Sequence, residues 1–64
     1  MNKIKEIREK KGISQLALAV AANISQPFLH DLEKNARGAR PETWGRIALA
    51  LGVNVDELRG KKAG

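Results

Sequence analysis

Apolar residues recur at helical intervals along almost the whole chain, and turn-forming residues break the pattern at four places. Ile4 and Ile7 point one way with charges elsewhere, so Asn2 is expected to cap a first helix running through Lys11, with Gly12 ending it. Ser14 is the next candidate N-cap, and Gln15 to Ala22 is made almost wholly of good helix formers. The buried face of that second helix should be Leu18, Ala19 and Ala22. Leu16 and Val20 then lie nearly opposite it, where a surface helix normally carries polar residues. Asn23 tolerates the left-handed conformation that commonly ends a helix. Ser25 restarts the chain as a third N-cap, and Pro27 sits in the first turn, where its missing N–H costs nothing.

A second left-handed cap is expected at Asn35, followed by a loop, Ala36 to Arg40, carrying two cations. Pro41 opens a fourth helix with Glu42 in its first turn, favourable for the helix dipole. Trp44, Ile47, Ala48 and Leu51 recur at helical spacing, and Gly52 stops the helix. Asn54 and Glu57 form an Asn-started capping box for a last short helix carrying Val55 and Leu58. Residues 61–64 read as a flexible tail after one domain spanning 1–60. No strand pattern, repeat or internal linker interrupts this reading, so the fold class is all-α, a five-helix bundle.

The second and third helices, joined by a few linking residues, have the spacing of a helix-turn-helix. With about 100° per residue, Leu29 and Leu32 fall on one side of the third helix, flanked by Ser25 and Phe28. Gln26, Pro27, His30, Asp31 and Lys34 fall on the other. Such a helix has the donors, acceptors and cation needed in a DNA major groove, although an ordinary solvated amphipathic helix has the same periodicity.

Composition narrows the choice. A net charge of +5 with a pI near 10.1 favours a polyanionic partner, while also serving solubility. Aromatic residues make up 3% of the chain, too few to stack bases, which disfavours single-strand binding. There is no cysteine, which excludes thiolate metal sites and disulfides and suits a cytoplasmic setting. The N-terminus lacks a signal-peptide apolar region, and the longest apolar run, Leu16 to Ala22, is far too short for a bilayer. No cofactor or metal is expected. Catalysis is disfavoured as well: the chain has one His, no phosphate-cradling Gly-rich loop, and Asp31 and Glu33 at a spacing that keeps them off one face.

The order GISQLALA (12–19), Asn-Ile-Ser (23–25), LHDLEKN (29–35) and LALGVNVDEL (49–58) resembles the Xre-type, lambda-repressor-like DNA-binding domains. The likeness runs from about Ile4 to Leu58. It implies a five-helix bundle that binds operator DNA, commonly as a homodimer on a palindromic site.

Carried over residue by residue, the resemblance places Gln15 and Ser25 on phosphates and Gln26 where a base is read; Gln pairs bidentately with adenine. His30, one turn along, is a base or phosphate donor or a solvated side chain. Pro27 and Phe28 make the first turn bulky, so an apolar contact such as one to a thymine methyl is expected there. Lys34, Arg37 and Arg40 resemble the basic residues that clamp the backbone, or else form a solvated charge cluster. Arg8 and Glu33 match an ion pair tying the first helix to the end of the third. Val55 and Leu58 are the expected dimer surface, and Leu16 with Val20 a candidate surface for a different protein partner. The sequence thus reads as a transcriptional repressor. The alternatives are a protein-interaction module such as an antitoxin, or the DNA-binding part of a longer repressor.

Overall fold

A computed structural model describes residues 2–60, so the expected tail at 61–64 lies outside the described residues. Among them are five helices and no strand: α1 (Ile4–Lys10), α2 (Gln15–Ala21), α3 (Gln26–Glu33), α4 (Pro41–Leu51) and α5 (Val55–Leu58). None is long and apolar enough to cross a membrane.

The turn chemistry matches the residues that carry it. Ser14, Ser25 and Asn54 each accept a backbone N–H three residues on, at 3.0, 3.2 and 2.7 Å. Asn23 and Asn35 have φ of 58° and 59°, the left-handed conformation that Asn reaches more readily than other side chains. Pro41 occupies the first turn of α4, and Gly52 ends it in the left-handed region.

The start of α1 differs from expectation in an informative way. Lys3, not Asn2, is the N-cap, and its side chain makes no capping bond. Asn2 still serves the helix, because its Oδ1 accepts the Ile4 N–H at 3.2 Å. Its Nδ2 meanwhile donates to the Leu32 carbonyl at 2.7 Å and to Asn35 Oδ1 at 3.0 Å. One side chain therefore joins the entry of α1 to the exit of α3.

The helices enclose a single cluster of buried apolar residues. It includes Ile4 and Ile7 of α1, Leu18 and Ala19 of α2, Leu29 and Leu32 of α3, and Trp44, Ile47, Ala48 and Leu51 of α4. Leu58, expected on a dimer surface, is a fully buried member of this core. A one-turn helix has one apolar side, and that side is needed to close the bundle. The Leu58 carbonyl also accepts the Lys3 N–H at 2.8 Å. Val55 is half-buried against the same cluster.

Two arginines brace the frame. Arg46 of α4 donates from Nε to the Ala22 carbonyl at the C-terminal end of α2, while Nη1 meets Glu42 one turn earlier. Arg59 lies 5.3 Å above the Trp44 ring.

Candidate nucleic-acid interface

The third helix presents its outward face as periodicity requires. Leu29 and Leu32 are buried, whereas Gln26, Pro27, His30 and Lys34 are exposed. Asp31, grouped with them by angle, is half-buried.

Behind that face runs a connected chain of polar side chains. Arg8 donates from Nε and Nη2 to the two oxygens of Glu33, at 2.8 and 3.2 Å, and from Nη1 to the Ile13 carbonyl at 3.0 Å. The side chains of this pair are 10% and 4% exposed, so it is nearly dry. The hydrogen bond to Glu33 raises the pKa of the Arg8 guanidinium, against the burial that lowers it; the charges of Glu33 and Glu9 add to the rise. Arg8 is therefore a permanent cation and Glu33 its fixed partner, which locks the exit of α3 onto α1.

Gln15 extends the chain. Its Nε2 donates to Glu33 Oε1 at 3.1 Å, and its Oε1 accepts from Gln26 Nε2 at 3.4 Å. The amide of Gln26 is thus linked through Gln15, by one long bond, to the buried ion pair. One amide proton of Gln15, and the carbonyl oxygen and second amide proton of Gln26, have no partner within this chain of side chains. Spacing alone could not find this link, because Gln15, Gln26 and Glu33 lie on three different turns of two helices.

The loop after α3 is also tied down. The Arg37 guanidinium lies 4.8 Å above the ring of Phe28, which is half-buried and packs on the core. Phe28 is therefore occupied on one side by the core and on another by Arg37. Pro27, exposed beside it, is the more accessible apolar side chain of this turn. Ser25 accepts the Phe28 N–H and retains its hydroxyl proton as a donor. Arg40 is exposed at the N-cap of α4, its backbone carbonyl accepting the N–H groups of Thr43 and Trp44. The structure brings Gln15, Gln26, Arg8 and Glu33 into one network and sets Arg37 against α3. It leaves Arg40 apart from them.

On the outer side of α2, Leu16 is 56% and Val20 72% exposed, so the anomaly of the pattern is real. Leu49 on α4 is more exposed still, at 82%, and was missed even though it lies opposite the Trp44–Ile47–Leu51 stripe.

Comparison with known proteins agrees with this architecture. The chain belongs to the helix-turn-helix family of Xre or lambda-repressor-like type, whose model matches residues 4–58. It is 33% identical over 60 residues to the immunity repressor protein of Bacillus phage phi105, covering 94% of this chain and 42% of that protein. It is 34% identical over 56 residues to the HTH-type transcriptional regulator DdrOP3 of Deinococcus deserti, covering 88% of this chain and 43% of that one. The chain spans less than half the length of either relative.

Proposed function

We propose that this chain is a sequence-specific, double-stranded DNA-binding transcriptional repressor that lays α3 in the major groove. The observation that carries the reading is the orientation of Gln26. A flexible Gln on a solvated helix needs no support, whereas this one is the outer end of a hydrogen-bonded chain anchored on a buried ion pair. An amide biased towards one orientation in this way loses less rotamer freedom when it pairs with an adenine edge. Pro27 and His30 border it on the same face as further base contacts. Gln15, Ser25, Lys34, Arg37 and Arg40 supply phosphate contacts around it. The matched family and the repressor and regulator names of the two relatives support the same reading.

Operator binding would be by a homodimer on a palindrome, with the two α3 helices about 34 Å apart, one turn of DNA. With Leu58 in the core, half-buried Val55 is what remains of the surface expected for that contact. The test is footprinting on the DNA flanking the chain's own gene. Protection of two half-sites one helical turn apart is expected, and uniform, sequence-independent protection would overturn the reading.

A second surface is favoured by one specific observation. Leu16 and Val20 are one turn apart and exposed on the face of α2 away from the core, which suits a protein partner distinct from DNA.

A further inference from the structure

A hollow of about 350 Å³ lies beside the recognition face, lined by Lys5 of α1, Gln15 of α2, and His30 and Lys34 of α3, with Arg8 and Glu33. We propose that this hollow seats one backbone phosphodiester of bound DNA, and that Lys5 is a phosphate-binding residue of the interface. The proposal rests on the duplex-binding reading above and adds a residue to it from α1, the helix that reading left as scaffold.

The charge arrangement carries the inference. The two charges of Arg8 and Glu33 neutralise each other through two short hydrogen bonds. That leaves Lys5 and Lys34 as the net charge of the hollow; both are exposed, and among the described residues neither stands in an ion pair. Two further donors accompany them, the remaining amide proton of Gln15 and a ring N–H of His30. Two ammonium groups and two further donors around an open cavity suit an oxyanion that the rest of a bound duplex holds in place, rather than a free one. They do not match a cation, and they leave an apolar group nothing to replace the water it would displace.

Position selects the phosphodiester. His30 and Lys34 sit on successive turns of the same outward face that carries Gln26. When that face enters the major groove, a phosphate rail runs beside the helix. The hollow is lined by the His30 and Lys34 turns of α3 together with Lys5, while Arg37 is held against Phe28 in the first turn. Lys5 and Arg8 are three apart on α1 and so share one face. The helix tied to α3 by the buried pair thus brings a cation to α3 at the same time.

Phosphate contacts are independent of sequence, so a random 30-base-pair duplex is a sufficient probe. Each neutralised phosphate contributes about −0.9 to the slope of log K against log salt. Lys5→Gln should therefore flatten the slope by about 0.9, so that its deficit against the unsubstituted chain shrinks roughly three- to fourfold between 50 and 200 mM salt. Lys11→Gln removes the same charge from the side of α1 that faces Val53 and Glu57, and should leave the slope unchanged. Inorganic phosphate titrated at constant ionic strength should leave the Lys5 and Lys34 resonances in place. An unchanged slope in Lys5→Gln would overturn the proposal. So would an equal flattening in Lys11→Gln, which would reduce the effect to overall charge, or saturable binding of inorganic phosphate, which would make the hollow a general anion site. If the unsubstituted chain shows no salt-dependent duplex binding, the duplex reading itself is overturned.

Discussion

Gln15 and Leu16 are neighbours on α2, yet they stand at the edge of two unlike surfaces. Gln15 has both ends of its amide engaged, by Glu33 and by Gln26, and through Glu33 it is fastened to Arg8. Leu16, together with Val20, meets solvent. The difference shows how a short helix divides its work. On one side, polar groups are fixed before any ligand arrives, which lowers the ordering cost of recognition. On the other, two aliphatic side chains have no fixed partner, so substituting them should affect only what docks there.

This comparison is broken most severely at the ion pair. Arg8→Ala strands a nearly buried carboxylate, and a loss of roughly 3–5 kcal/mol is expected, enough to unfold much of a domain this small. Urea denaturation followed by circular dichroism measures it; an unchanged midpoint would mean that water reaches the pair.

Gln26→Ala comes next. Its one bond within the protein is long, so stability should hold, while binding to the specific site falls by about 1–3 kcal/mol with relaxed preference at one base pair. Parallel titrations of operator and scrambled duplex decide the matter, since equal losses on both would make Gln26 a positioning group.

Gln15→Ala should remove about 1 kcal/mol of stability by taking a partner from Glu33. It should also blunt the base preference proposed for Gln26, without abolishing binding. Thermal melts and the same pair of titrations separate the two effects. If the preference survives intact, Gln26 orients itself without help.

The smallest effect is expected on the aliphatic side. Leu16→Lys combined with Val20→Lys should leave stability within about 0.5 kcal/mol and the preference for operator over scrambled duplex unchanged, since both side chains are largely exposed. Loss of self-association in analytical ultracentrifugation would show that the dimer contact lies on α2 and not near Val55.

Most of the scaffold was legible because its signals are local. Ser14, Ser25 and Asn54 cap helices whose starts they announce, and Asn23 and Asn35 take the left-handed turns that few other side chains accept. The core stripe of α4 follows from spacing alone. Helix α5 was harder, because a single turn shows too few residues to tell an inward face from an outward one; Leu58 was assigned to the surface and is core. The Arg8–Glu33 pair came only from the resemblance, since no local rule joins residues so far apart in the chain. The contact of Gln15 with Gln26, the cover that Arg37 gives Phe28, and the approach of Lys5 to Lys34 had no signal in the pattern. Each depends on the angles between helices.

The hydrogen bond from the Lys3 amide to the Leu58 carbonyl also bears on how the protein is made. Synthesis delivers the N-terminus first, and domains fold as units once their parts have emerged. By the time Asn35 has left the ribosome, α2, α3 and their connecting turn have every residue their local contacts require. The closed bundle must wait, because its core lacks Leu58, the side chain with which α5 completes it, and the Lys3 amide meets its carbonyl partner only when that residue appears. Completion of the fold is thereby tied to completion of this stretch of chain. A nascent chain stalled between Gly52 and Leu58 holds the whole recognition helix but not the bundle that presents it, and should be open to proteolysis from both ends.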